Sequence, residues 1–203
     1  DSRGAGAVAY AAGVEREETQ AFLNGYSAEL GVDSVFGALR WAASERLTLN
    51  LGLRHDSTDD FGGETTGRVS AAWRLDGGFT LSGAWGTGFK APSVSQAVCD
   101  FCFVLPGTAT APLVPEYARG GEIALGWRSA DSRFNGRVTL YRLEIEDQID
   151  GFFDVGTFEF YYINIDRTRT DGVEMEGRAI LGGGFDLSAS YAWTDAVDEG
   201  AGT

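Results

Sequence analysis

Cys99 and Cys102, separated by two residues, are the pair in this 203-residue chain whose residue types and spacing are typical of a chemical site. A C-x-x-C pair can be a redox couple, half of a zinc site or a disulfide. A redox couple needs a βαβ setting and a zinc site needs a second pair of ligands, and the sequence offers neither. His55 is the single histidine, so we predict no metal site. A disulfide between Cys99 and Cys102 is expected if their segment lies in an oxidising compartment.

No arrangement typical of catalysis accompanies the cysteines. The sequence shows no Ser-His-Asp set, no phosphate-binding loop and no paired carboxylates in a defined cleft, so we predict no enzymatic activity and no cofactor. Loop aromatics are the other candidates, because they can stack on a flat ligand or, alternatively, pack the loops together. The candidate binding residues are Phe101, Phe103, Phe152, Phe153 and Tyr161.

The elements that must position these residues are β-strands. Residues 47–54 alternate apolar and polar side chains without a break, as in a strand with one apolar face. The same alternation recurs along most of the chain and predicts about nine strands of roughly ten residues each. Their predicted ranges are 5–16, 34–42, 46–56, 65–75, 79–90, 117–128, 133–145, 169–181 and 185–194.

Aromatic side chains on the apolar faces stand next to the predicted short turns. Three tryptophans precede such turns and three phenylalanines follow them, all at one predicted height: Trp41, Trp73, Trp127, Phe79, Phe134 and Phe185. A belt of this kind is typical of the interface girdle of a transmembrane β-barrel, and we predict that it contacts outer-membrane lipid. The opposite faces carry many charges, which a dry core would not tolerate unpaired. The alternative is a soluble sandwich, in which the same aromatics would form the core.

The connections alternate in length. Short turns are predicted near 43–45, 76–78, 130–132 and 182–184, and long loops near 17–33, 57–64, 91–116 and 147–167. Short periplasmic turns and long extracellular loops are typical of outer-membrane barrels, which close with an even number of strands. Nine strands, and a first residue that is not methionine, therefore predict a processed product or a fragment of a larger antiparallel barrel.

The charge balance excludes one class of partner. The chain has 16 Lys+Arg and 30 Asp+Glu, a net charge of −14. Binding of nucleic acid through its phosphates needs clustered basic residues, so we predict no nucleic-acid partner.

Several local motifs, taken in their order along the chain, resemble the C-terminal barrel region of TonB-dependent outer-membrane receptors. They cover about residues 52–194, and the Gly-Phe-Lys-Ala-Pro-Ser and Gly-Val-Glu segments are the most specific. One departure is Ala111-Pro112-Leu113-Val114-Pro115-Glu116, where the family usually has Asn-Pro-x-Leu-x-Pro-Glu. The motifs are Gly52–Asp56, Gly86–Ser93, Pro112–Glu116, Gly121–Gly126, Tyr141–Ile149, Tyr162–Asn164 and Asp171–Glu176.

The resemblance implies that residues 1–203 are part of a 22-stranded barrel whose plug domain and other strands lie outside this chain. It implies active uptake of a scarce nutrient across the bacterial outer membrane, driven by the inner-membrane TonB complex through the plug. The expected ligand is a ferric siderophore, since a small disulfide loop at Cys99–Cys102 resembles loops of catecholate-siderophore receptors. Cobalamin uptake by the same mechanism is the nearest alternative, and a passive porin or a surface adhesin is an alternative of another class.

Overall fold

The computed structural model describes residues 5–23, 26–97, 113–156 and 158–199. They form one antiparallel sheet of nine strands, as the alternation predicts. A 3₁₀ turn, Asp76–Gly78, and a one-turn helix, α1 (Val94–Ala97), are the helical elements of the described part, and neither is long enough to cross a membrane. The strands are β1 Val8–Leu23, β2 Tyr26–Ala42, β3 Leu47–Thr58, β4 Gly62–Arg74, β5 Phe79–Lys90, β6 Glu116–Arg128, β7 Phe134–Asp154, β8 Glu159–Ile180 and β9 Asp186–Asp198.

Each strand pairs with its neighbours in chain order, which is an up-and-down meander. Within the described residues β1 pairs with β2 alone and β9 with β8 alone, so the sheet is open and has two edges. An open edge presents unpaired backbone groups that another strand can satisfy. The all-β antiparallel prediction is confirmed.

The four predicted short turns are confirmed. Backbone hydrogen bonds close three of them, from Leu75 N to Phe79 O, from Ser129 N to Phe134 O and from Leu181 N to Phe185 O, each at 2.9 Å. In the β6–β7 turn the carboxylate of Asp131 accepts hydrogen bonds from Ser129 Oγ at 2.7 Å and from the Arg133 amide at 3.1 Å. These bonds, the first above all, lower the pKa of Asp131.

Three of the predicted long loops are wrong. The ranges 17–33, 57–64 and 147–167 are mostly strand, because β1–β2, β3–β4 and β7–β8 continue as long hairpins. Polar residues follow one another at 17–20, 57–60 and 166–169, so the alternation is interrupted in the sequence while the strand pairing goes on. The connection between β5 and β6 includes α1, and residues 98–112 within it lie outside the described part.

The sheet has no dry core between two layers. The buried hydrophobic residues of the described part are Val94, Ala124 and Ile149, while large apolar side chains on the predicted outward face are about half exposed, such as Ile123 at 53% and Leu51 at 47%. A soluble sandwich would bury this face. An exposed apolar face that runs across the strands is typical of a surface that meets lipid.

Candidate functional site

The six predicted girdle residues all lie at the end of the sheet that carries the short turns. Their exposed fractions run from 39% for Phe134 to 73% for Phe185. Phe79 and Trp127 are cross-strand partners with ring centroids 6.4 Å apart, and Trp127 Nε1 donates a hydrogen bond to Gly77 O at 3.1 Å. The structure therefore brings these aromatics to one height, and their contact with lipid stays a prediction.

A ladder of ion pairs on the same outward face lies above the apolar band on β6–β9. Its contacts include Arg142 to Asp171 at 2.6 Å, Arg119 to Glu144 at 2.7 Å and Arg167 to Glu146 at 2.5 Å. These charges follow directly after apolar residues such as Leu140 on the same face. The ladder therefore marks the limit of the apolar band at the end of the sheet away from the short turns.

Sequence reasoning missed this ladder. The signal was present as charges of opposite sign at matching positions of two consecutive strands, 142–146 and 167–171. Arg142, Glu144 and Asp171 fall inside the predicted strands 133–145 and 169–181, whereas Arg167 falls in the predicted loop 147–167. Opposite charges that face one another across two strands stabilise the sheet, although each exposed pair contributes little to the free energy of folding.

The lumen side of β1–β3 carries a hydrogen-bonded cluster around Arg54. Its guanidinium donates to Glu15 at 2.8 Å, to Asp56 at 2.7 Å and to Ser34 Oγ at 2.7 Å. Ser34 Oγ in turn donates to Asp56 at 2.6 Å, and the guanidinium carbon lies 5.9 Å from the centre of the Phe36 ring. Every group is satisfied locally, so this cluster stiffens the wall.

The lumen side of β4–β8 is concave and is lined by small and charged residues. A cavity of about 450 Å³ there is bounded by Gly86, Gly88, Arg68, Glu122, Tyr141 and Glu174, among others. Tyr141 reaches across Gly172, where a Cβ would lie 2.2 Å from its ring, and its hydroxyl is 2.9 Å from Thr194 Oγ1. Within the described residues Glu122 and Glu174 have no ion-pair partner, which leaves two carboxylates facing the lumen.

Asn164 ties the end of the β5–β6 connection to the β7–β8 hairpin. Its side-chain oxygen accepts from Val114 N at 3.0 Å, and its amide nitrogen donates to Val114 O at 2.9 Å and to Asp147 O at 2.6 Å. A side-chain amide that both accepts and donates in this way replaces a missing strand neighbour. Asp147, with a φ of 56°, is the point where β7 and β8 are not paired.

We predict that Asn164→Leu frees residues 113–115 from the hairpin. The change removes two hydrogen bonds to the exposed Val114 backbone and one to the part-buried Asp147 carbonyl, each with a net contribution of about 0.5–1.5 kcal/mol. Hydrogen exchange in the full-length protein should then show faster exchange of the Val114 amide by about tenfold or more. The control is Asn50→Leu, which removes one hydrogen bond to Ser70 in another part of the wall. Equal exchange at Val114 in both variants would refute the role of Asn164.

The predicted binding aromatics divide between the two faces of the β7–β8 hairpin. Phe152 and Tyr161 share one face, with centroids 5.2 Å apart. Phe153 lies on the other face, opposite Phe160, and its ring is 6.3 Å from that of Phe158. The structure thus does not bring Phe152, Phe153 and Tyr161 together on one surface.

Four predicted site residues, Cys99, Phe101, Cys102 and Phe103, lie outside the described residues. The proposed disulfide and the aromatic contacts of that segment therefore remain predictions. In the part of the chain that the structure does describe, no group of three or more His, Cys, Asp or Glu side chains is placed to hold a metal ion.

Comparison with known proteins gives a family match over nearly the whole chain. Residues 4–203 match the family model described as "TonB dependent receptor-like, beta-barrel". Among curated proteins, the "Iron-regulated outer membrane virulence protein" of Vibrio cholerae serotype O1 is 28% identical over 168 residues. That alignment covers 76% of this chain and 26% of the relative, so the chain spans about a quarter of the relative's length.

Solved structures share the fold. The siderophore receptor PirA from Pseudomonas aeruginosa superposes with a TM-score of 0.81 at 17% identity, covering 94% of this chain and 40% of that one. The copper transporter OprC gives a TM-score of 0.74 at 19% identity, covering 92% and 35%. The ferric enterobactin receptor PfeA from Pseudomonas aeruginosa gives 0.68 at 17% identity, covering 83% and 27%.

Proposed function

We propose, from the premise that this chain belongs to the TonB-dependent receptor β-barrel family, that it forms nine barrel strands of an outer-membrane receptor that actively imports a ferric siderophore. The observation that carries the proposal is the family match over residues 4–203. Supporting it, the curated relative is by its description iron-regulated and in the outer membrane, and two of the similar structures are named as siderophore receptors. The family consists of receptors, and we propose no enzymatic activity for this chain.

The rest of the receptor, in this proposal, supplies the strands that close a 22-stranded barrel and a plug domain inside it. The plug engages the TonB complex of the inner membrane, and that engagement opens a path through the barrel. The two open sheet edges and the coverage of about a quarter of the curated relative fit such an arrangement.

The lumen wall supports the presence of a plug in two ways. The small residues Gly86 and Gly88 let a protein segment approach the backbone closely. Glu122 and Glu174 lack ion-pair partners in the described part of the wall, and cationic side chains of a plug would satisfy both carboxylates. In an open porin, water would hydrate both carboxylates, so the presence of the plug needs its own test.

The ligand, in this proposal, is held at the extracellular end by exposed aromatics. Phe153 is 52% exposed near the tip of the β7–β8 hairpin, where it can stack on a flat chelate. Phe101 and Phe103 join it from the β5–β6 connection, which a Cys99–Cys102 disulfide closes. Cobalamin, whose flat corrin ring stacks equally well, is the alternative ligand.

The test is uptake by the whole receptor in a strain that lacks its own siderophore receptors. We expect accumulation of a radiolabelled ferric siderophore that disappears when TonB is deleted. The matched control is the same receptor supplied with labelled cobalamin. Uptake of cobalamin without uptake of the siderophore would identify cobalamin as the ligand. Uptake that persists without TonB would overturn active transport in favour of a passive porin.

The hairpin face that carries Phe153 is the face that we expect to contact the ligand. Phe153→Ala should weaken binding of the ferric siderophore to the full-length receptor about three- to tenfold, the range expected for one lost aromatic contact. Phe152→Ala removes a similarly exposed ring from the opposite face and should change affinity less than twofold. Equilibrium titration measures both. A larger loss of affinity for Phe152→Ala would show that the ligand binds to the opposite face of the hairpin.

A further inference from the structure

The β7–β8 hairpin extends beyond both strands that flank it in the sheet. Among the described residues, the last pairing of β7 with β6 is at Glu146, and the last backbone hydrogen bond from the β9 side to β8 is at Arg167. Residues 148–154 and 159–165 therefore have each other as their strand partners and no further strand beside them, and we call them the upper ribbon. A two-stranded hairpin without neighbouring strands is at best marginally stable.

The strand pairing is interrupted at the base of the upper ribbon. The pairs on either side of the interruption are regular, whereas Asp147 and Asp166 do not pair with each other. Asp147 has a φ of 56°, in the left-handed region that a residue with a Cβ seldom adopts. The interruption lies just beyond the level at which β6 and β9 end, so neither neighbouring strand spans it.

Side-chain hydrogen bonds hold the base of the ribbon in place of the strand ladder. Thr168 Oγ1, below the interruption, donates to Gln148 Oε1, above it, at 2.9 Å. Asn164 on the ribbon donates to Asp147 O at 2.6 Å and also makes its two hydrogen bonds with Val114. Each bond of this kind contributes modestly to stability in water, so a few side chains determine the position of the whole ribbon.

The upper ribbon is packed along its length by aromatic side chains. Phe152 and Tyr161 lie opposite one another on its two strands, with ring centroids 5.2 Å apart. Phe160 and Tyr162 pack edge to face at 5.3 Å, and the Phe160 ring lies so close over Gly151 that a Cβ there would be 2.9 Å from it. Aromatic pairs across two strands stabilise a hairpin, so the ribbon is stiffer along its length than at its base.

We propose that the upper ribbon pivots as one body about the interruption at Asp147 and Asp166, and that Asn164 fixes it in the position that the structure shows. The pivot does not depend on the proposed function, because it follows from the strand pairing. Its consequence for the ligand does rest on that function. Phe153, the proposed ligand contact, lies on the ribbon and moves with it.

The test measures distances in the full-length protein by pulsed electron paramagnetic resonance. Nitroxide labels on genetically encoded keto amino acids leave Cys99 and Cys102 unchanged. One label replaces Val155, which is 75% exposed next to the ribbon, and the other replaces Val197 near the end of β9. We expect two distance populations for this pair. The reference pair, Val69 and Val197, has both labels on the sheet below the interruption and should give one narrow distance.

Asn164→Leu should increase the population that departs from the distance in the structure at least about threefold, the factor expected for loss of hydrogen bonds at the base. Thr168→Val, which removes the bond to Gln148, should act in the same direction. The matched control is Ser70→Ala, which removes one side-chain bond from Asn50 in another part of the wall and should leave both populations unchanged. Heat-modifiable migration on gels shows that each variant folds.

Hydrogen exchange distinguishes a pivoting ribbon from one that unfolds. The ribbon amides that exchange slowly in the wild type should stay as slow in Asn164→Leu, and fast exchange throughout the ribbon would refute movement as one body. A single narrow distance between Val155 and Val197, in the wild type and in Asn164→Leu alike, would overturn the pivot. Two populations in a protein that takes up no siderophore would defeat the proposed function and leave the pivot standing.

Discussion

Leu51→Arg is expected to lower the free energy of unfolding of the full-length receptor by about 2–4 kcal/mol, the cost of a cation at the bilayer midplane on the lipid side of a barrel. Leu51 lies midway along the apolar face of β3, between the cross-strand partners Leu39 and Val69, and is 47% exposed. Denaturant titration of receptor refolded into phospholipid vesicles measures the change.

The control for this prediction is His55→Arg, on the same strand and the same face but four residues nearer the extracellular end. There a cation reaches the headgroups, and the expected cost is about 0–1 kcal/mol. His55 Nδ1 lies 2.9 Å from Thr65 Oγ1, a contact that an arginine can replace. Equal costs at the two positions would show that the apolar face is not in contact with lipid.

Gly78→Ala should be the most damaging small substitution in the turns, lowering the free energy of unfolding by about 3–5 kcal/mol. Gly78 has a φ of 84°, and a Cβ there would lie 2.1 Å from the backbone oxygen of Arg128 on the neighbouring strand. A backbone oxygen cannot swing aside as a side chain can, so the β4–β5 turn or the end of β6 must move. The same titration measures the loss.

Gly184→Ala separates the cost of the left-handed backbone from the cost of the contact with Arg128. Gly184 has a φ of 87° in the β8–β9 turn, and a Cβ there would meet nothing within 4 Å. Only the left-handed backbone is penalised, at about 1–2 kcal/mol. If Gly78→Ala costs no more than Gly184→Ala, the contact with Arg128 has no energetic weight.

The class of fold and the orientation of its faces followed from local pattern. A strand turns its side chains alternately to its two faces, so the alternation in 47–54 predicts which residues face outward before any pairing is known. The turn at 76–78 was recognisable because Gly77 and Gly78 follow an aspartate between two alternating runs, and the structure places a turn there.

The length of the hairpins did not follow from the same pattern. Residues such as Glu18 in β1 and Arg167 in β8 are polar with polar neighbours on both sides. Without alternation a strand looks like a loop in the sequence. Its backbone pairing with a distant partner extends the ladder all the same, and that pairing is a tertiary property.

Local sequence pattern therefore predicts the strand class, the apolar outward face, the short turns and the aromatic belt, since each depends on neighbours within a few residues. The tertiary structure alone decided which distant residues meet. It put Phe152 and Phe153 on opposite faces of one hairpin and joined Asn164 to Val114 across 50 residues. The physical reason is that register and strand order, which no local periodicity encodes, set every contact between side chains far apart in the chain.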